Sequence, residues 1–201
     1  MEVAEALRRR RMVRAYDPGR PVPSELVDAV CAAALRTPSA GFTQGVSLLV
    51  ASTDQSRSAF WAATADGDSA WLRGMRSAPV LIMLWTSRQA YLDRYAESDK
   101  GWVDRDPDRW SAPYWYVDGG MAALAALVTA VDQGLGACFF GIPVERVPRV
   151  RTSFAVPADQ LSVGVISLGY SVPAPASGSP TRRARKPTEA LLHRETWSSL
   201  R

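Results

Sequence analysis

Histidine and cysteine are nearly missing from this chain of 201 residues, which has His193 alone of the first and Cys31 and Cys138 of the second. One imidazole near the C-terminus leaves a metal centre or a serine or cysteine triad with little to work with. The two thiols lie far apart in different apolar settings, without the paired spacing of a zinc site or a redox dithiol. Long apolar runs are lacking too. The most apolar stretch, Met121 to Val131, is eleven residues between Asp118 and Asp132, short of the roughly 20 that span a bilayer, so a buried helix and no membrane partner are expected. No apolar run follows the first methionine, and the early arginines are accompanied by Glu2, Glu5 and Asp17, unlike an acid-poor transit peptide. The expected compartment is the cytoplasm. Internal repeats are absent as well.

What is present is an ordinary globular composition, 47% apolar and 22% charged, long enough for one domain with a sizeable core, residues 1–201. The net charge of +4 hides two foci: Arg8 to Arg14 contributes five cations and Arg182 to Lys186 four, leaving 15 cations against 20 acids elsewhere. Five guanidinium groups in seven residues repel one another unless an anion sits among them. Three readings compete for the run: a solvated helix end, a nucleic-acid patch, or the cationic wall of a small phosphate site. A protein that coats nucleic acid spreads its basic surface and pairs it with exposed aromatics or a reading helix. Neither focus has such neighbours, so a basic nucleic-acid-binding module is the weakest alternative.

Along the chain, Glu2 to Arg11 predicts a short helix whose dipole favours cations at its C-terminal end. Pro21-Val22-Pro23-Ser24 reads as a turn, with Ser24 capping a helix from about Glu25 to Arg36. The loop Thr37 to Gly45, rich in residues that shape backbone, leads into a strand at Val46–Ala51. Residues 54–76 are helical in pattern, and Ala78 to Trp85 is an all-apolar strand that needs cover on both faces. Residues 86–114 read as an irregular, variable excursion whose tryptophans either dock on the core or form an aromatic lid. Tyr114 to Gln133 predicts the longest helix, apolar nearly all round, so either its own core or a second subunit must enclose it. Gly134 to Gly141 turns into a third strand; its glycines are not the dinucleotide fingerprint, because they close a helix instead of opening one. A short helix, Pro143 to Phe154, and a strand, Leu161 to Tyr170, follow. Residues 173–201 form a Pro/Ser-rich linker and a C-terminal arm carrying the second basic cluster.

The order of these parts resembles the FMN-dependent nitroreductase family. The resemblance rests on Arg10-Arg11-Met12-Val13-Arg14, on the Pro38 to Gln44 loop, on Gly134-Leu135-Gly136-Ala137-Cys138, and on Arg183 to Pro187. It implies an α+β sandwich with a central, mostly antiparallel sheet flanked by helices, shared across a homodimer with an FMN in each of two interface sites. It further implies that Arg10, Arg11 and Arg14, with Met12 between them, and Arg183 and Arg185 bracket the flavin phosphate. Arg is suited to that task through charge-assisted bidentate contacts. Pro38, Ser39, Ala40 and Gln44 are expected to reach the ring from the neighbouring subunit, and Phe139, Phe140 and Gly141 to supply backbone groups near the reactive ring nitrogen. Phe42, Trp102, Trp110 and Tyr114 are the candidates for substrate contacts.

Three departures accompany the resemblance. Met12 stands where the family often has Ser, Phe42 where it often has Asn, and Gly45-Val46 replaces a common Pro-Trp. The expected function is ping-pong transfer of hydride from NAD(P)H, through FMN, to a small electron-poor acceptor such as a nitroaromatic or quinone. A flavin-dependent dehydrogenase or oxidase on the same fold is the alternative, and a deazaflavin partner stays open. Such chemistry fits a chain without an acid/base constellation, because the cofactor carries the reaction.

Overall fold

The fold is built on the strand whose all-apolar sequence demanded cover on both sides. β2 (Val80–Ser87) is buried along its whole length and pairs antiparallel with β1 (Val46–Ala51) and with β4 (Gln160–Gly169). β3 (Gly136–Phe140) pairs antiparallel with the far side of β4, giving the sheet order β1-β2-β4-β3. In this computed structural model, residues 1–173 and 182–197 are described. The 174–180 part of the expected linker lies outside them.

Alternation along the strands explains the two cores. Val80, Ile82 and Leu84 of β2 point with Ile166 and Leu168 of β4 into a layer formed by α2 (Ser24–Leu35) and α6 (Tyr114–Asp132). Leu81, Met83 and Trp85 point the other way, with Cys138 and Val165, onto α3 (Asp54–Thr64), α4 (Ala70–Arg76) and α7 (Val147–Phe154). The architecture is the expected α+β sandwich.

α6 ends as its glycine predicts. Gly134 takes a left-handed φ of 72°, its N–H bonds to Val131 O, and the Leu135 N–H reaches back to Ala130 O at 2.7 Å, the double bond of a Schellman motif. The helix buries Ala122, Ala126 and Ala130 against the sheet and α2, and Trp115 against Tyr91 and Trp110, yet Val117 is 43% and Leu124 48% exposed. Among the described residues, therefore, nothing encloses it there. Val3 and Leu7 of α1 (Val3–Arg9), which packs on α6, are also exposed.

Five local expectations need correction. The first helix is shorter than Glu2–Arg11, because Arg10 leaves it with ψ 128°. Ser24 is the first helical residue and not the cap; Pro23 holds the cap position, and the Ser24 hydroxyl turns to Glu25 at 3.3 Å. Residues 54–76 split into α3 and α4, where Gly67 takes φ 79° and the Ser69 side chain starts a new helix by accepting the Leu72 N–H. The excursion 86–114 contains a helix, α5 (Arg88–Ala96), capped by the Ser87 hydroxyl accepting from Ala90 N–H and anchored by buried Tyr91 and Leu92. The expected helix from Pro143 begins as a 3-10 turn, Val144–Arg146, before α7.

Candidate functional site

The arginine segment does not trail in solvent; it is sewn along the edge of β3. Met12 bridges Ala137 in parallel, and the Val13 N–H donates to Ala137 O at 3.0 Å. The buried Tyr16 ring anchors the other end, its hydroxyl donating to Val13 O at 2.7 Å and lying 2.7 Å from the Ser167 hydroxyl. On the other flank α4 comes so close that a Cβ on Gly74 would lie 2.1 Å from Arg14 O. The backbone of residues 12–16 is fixed before any ligand arrives.

That framework sorts the guanidinium groups. Arg10 and Arg14 both act on the buried Cys138 thiol: burial pushes its pKa up, and the Arg14 charge and hydrogen bond, then the Arg10 charge, oppose this. Arg10 Nη1 is sealed from solvent with no hydrogen-bond partner among the described residues. A buried cationic donor without an acceptor is costly, and a phosphate is the acceptor such a fork fits. Arg11 is exposed and folds its Nη1 onto Arg8 O and Arg10 O at 2.7 and 3.0 Å, while Arg9 pairs with Glu5 one turn away. Met12 points its sulfur at the Phe139 N–H, 3.5 Å away, and so ties the arginine segment to the start of the Phe139–Gly141 segment. Phe140 stacks on Trp61, with centroids 5.9 Å apart and planes at 7°, and meets Phe60 and Trp71 edge-on. Gly141 is exposed.

The second group of candidates forms a strained loop. Phe42 and Gln44 hold left-handed φ values of 55° and 53°, a conformation that side chains adopt at a cost and that clusters at binding sites. Three anchors offset it. The Gln44 N–H donates to the Ser39 hydroxyl at 2.9 Å, Arg94 Nε donates to Gly41 O at 2.8 Å, and the Ala40 N–H donates to Asp118 Oδ2 at 2.9 Å. Asp118 is only 2% exposed, and its Oδ2 also accepts the Tyr91 hydroxyl at 2.7 Å. The Tyr91 phenol is held protonated far above its ordinary range, by burial first and by Asp118 second. Arg94 is itself fixed by a bidentate pair with Asp99 at 2.7 and 2.8 Å. A cavity of about 200 Å³ opens beneath the loop, lined among others by Leu35, Thr37, Pro38, Ser39, Gln44 and Asp118. Phe42 stands on the same loop, 74% exposed. A larger shallow depression of about 510 Å³ between α3 and α7 touches none of the candidate residues.

The tryptophans dock. Trp110 sits in a ring cluster with Tyr95, Trp102, Tyr114 and Trp115, centroids 4.3 to 6.3 Å apart, and Tyr91 joins it to α6. Trp102 and Trp110 are half-buried within that cluster. Arg183 and Arg185 are exposed on an arm whose backbone hydrogen bonds, such as Leu192 N–H to Thr188 O, are local. The sheet order separates the other two groups. The loop enters edge strand β1 and the arginine segment lines edge strand β3, about 14 Å apart at the usual strand spacing.

Asp118, Tyr91 and Arg94 were not among the sequence candidates. Asp118 carried a signal, the one carboxylate of α6 that is not at its C-terminal end, next to Gly119-Gly120. Tyr91 and Arg94 carried none, because their roles depend on where α5 lands.

The sequence profile described as Nitroreductase family matches residues 7–170. A protein of Methanothermobacter thermautotrophicus, named an NADH dehydrogenase/NAD(P)H nitroreductase, is 29% identical over 199 residues, covering 98% of this chain and 88% of its own. A solved nitroreductase of Exiguobacterium sibiricum, in complex with FMN, matches at TM-score 0.75 and 16% identity over 97% of this chain and 98% of its own. One from Desulfovibrio desulfuricans, also in complex with FMN, matches at TM-score 0.72 and 23% identity over 98% and 99%. At such identities these structures speak for the shared fold.

Proposed function

The chain belongs to the nitroreductase family, and from that premise we propose that it is an FMN-dependent oxidoreductase passing reducing equivalents from NAD(P)H to a small electron-poor acceptor in two half-reactions. The observation that carries the reading is Arg10 Nη1, a buried cationic donor with no acceptor among the described residues. The residues present fit the cofactor. Arg10 and Arg14 converge at Cys138, and with Arg11, Arg183 and Arg185 they would hold the phosphate. Met12 presents a thioether there and acts through Phe139, whose N–H it accepts.

The separation of the two groups across the sheet supports a shared site. One chain would give the arginine edge and the Phe139–Gly141 backbone, and its partner would give Pro38, Ser39, Ala40 and Gln44. The uncovered face of α6 and the apolar exposure of α1 support a homodimer that brings these together. Bound FMN supplies reversible acceptance of a hydride, so the protein's own tasks are binding, orientation and exclusion of water. Phe42 offers an aromatic face to a flat acceptor, whereas Trp102, Trp110 and Tyr114 act from behind it as the packed support of α5 and the loop.

The test is an absorption spectrum of the purified protein, then anaerobic titration with NADH and NADPH. Yellow protein that bleaches with either nicotinamide and recovers colour with a nitroaromatic or quinone is the expected result. Colourless protein whose spectrum is indifferent to added FMN would overturn the reading.

A further inference from the structure

Asp118 is engaged on one side only. The Ala40 N–H and the Tyr91 hydroxyl both donate to Oδ2, and among the described residues no donor or cation reaches Oδ1. The opening available is the cavity of about 200 Å³ that Asp118 lines. The other walls do nothing to neutralise it. They are apolar side chains, hydroxyls, a side-chain amide and the last turn of α2, which directs the negative end of its helix dipole there; the C-cap Arg36 is exposed and does not line the cavity. A carboxylate that is 2% exposed, held by two neutral donors and facing such walls, lacks the cationic partner that buried carboxylates ordinarily have.

We infer that this cavity is a recognition site for a cationic hydrogen-bond donor, a primary ammonium or amidinium group borne on the aromatic acceptor, and that Asp118 is the residue selecting it. The ammonium donates to Oδ1 while Oδ2 keeps its hold on Ala40 and Tyr91, so binding need not loosen the loop. The Ser39 and Thr37 oxygens on the same wall provide further acceptors. The volume admits a methylammonium head with part of a ring but not a bulky substituent, and Phe42 on the same loop offers a face to the rest of the ring. The assignment of this cation to an acceptor rests on the flavin reading above; the binding of the cation itself does not.

Calorimetric titration of the purified protein with benzylammonium, and with benzyl alcohol as the neutral match, tests the site directly. Benzylammonium should bind at least about tenfold more tightly, the ratio expected of one charge-assisted hydrogen bond, and Asp118→Asn should erase the difference. Should that variant fail to fold, the wild-type protein still decides: the Ala40 amide, which donates to the same carboxylate, should shift in nitrogen-edited NMR spectra with benzylammonium and not with benzyl alcohol. Turnover of 4-nitrobenzylamine should likewise show a lower KM than 4-nitrobenzyl alcohol, at similar kcat, in the wild type alone. Equal binding of the two probes, or no binding of either, overturns the inference. Absence of flavin or of turnover with both acceptors, while benzylammonium still binds, fails the flavin reading and leaves the site standing.

Discussion

Adjacent residues of one type have different tasks here, and backbone geometry decides which. Arg10 leaves α1 at ψ 128° and turns inward, whereas Arg11 bonds back to the carbonyls of Arg8 and Arg10. Replacing Arg14 or Arg185 by Ala should weaken FMN retention about tenfold or more, the loss of one charge-assisted contact. Arg8→Ala should change it less than about threefold, because an exposed helix-end charge contributes little. Fluorescence titration of the stripped protein with FMN measures both, and equal effects would undo the sorting. Tyr16 has a role of another kind. Its buried hydroxyl fixes the arginine segment to Val13 O and Ser167, so Tyr16→Phe should lower stability by about 1–2 kcal/mol in urea unfolding. Burial, the largest cause, pushes the Tyr16 phenol well above its ordinary range. The folded state therefore holds that proton more tightly than the unfolded chain does. This contribution is complete below the ordinary tyrosine value of about 10 and is lost as pH rises beyond it, where the unfolded chain ionises first. The wild type should lose stability above that pH more steeply than the Phe variant.

At the scale of elements, the sequence was most legible where one pattern determined one structure. The all-apolar Ala78 to Trp85 announced a strand covered on both faces, and Gly134 announced the end of α6; both stand within about two residues of their reading. α5 was not legible, because Arg88, Asp93 and Arg94 interrupt its apolar periodicity and its place depends on Tyr91 reaching the core. The same holds for the loop at Pro38–Gln44. Its motif residues could be read, while Asp118 and Arg94, which hold its strained backbone, come from helices 78 and 53 residues away. α6 is the intermediate case: its pattern demanded a second partner surface without saying whose. Val117 and Leu124 now mark the side that needs cover. Changing both to Ser should leave the monomer fold unharmed by circular dichroism, since neither side chain is in the core. It should shift sedimentation from dimer towards monomer and reduce FMN retention in parallel. A variant that stays dimeric would place the interface elsewhere.

At the scale of the whole molecule, the two halves of the proposed site sit on opposite edges of a four-stranded sheet, and that arrangement couples cofactor, assembly and stability. A ligand that binds only the native dimer stabilises it by mass action, by roughly 2.7 kcal/mol when present at about a hundred times its Kd. In a chain of 201 residues, each kcal/mol is worth about 2–4 °C in Tm. Saturating FMN should therefore raise the Tm of stripped protein by about 5–10 °C. On the proposed division of the site between two chains, the Tm of the FMN-loaded protein should also climb with protein concentration. In the Val117→Ser, Leu124→Ser variant FMN should give little shift at low concentration and recover part of it at high concentration, where mass action restores the dimer. Arg14→Ala leaves the α6 face intact and should reduce the FMN shift at every concentration alike. Scanning calorimetry over a hundredfold range of protein concentration separates these patterns. A full FMN shift in a demonstrably monomeric variant would mean that one chain builds the whole site, and the division across the sheet would then have to be abandoned.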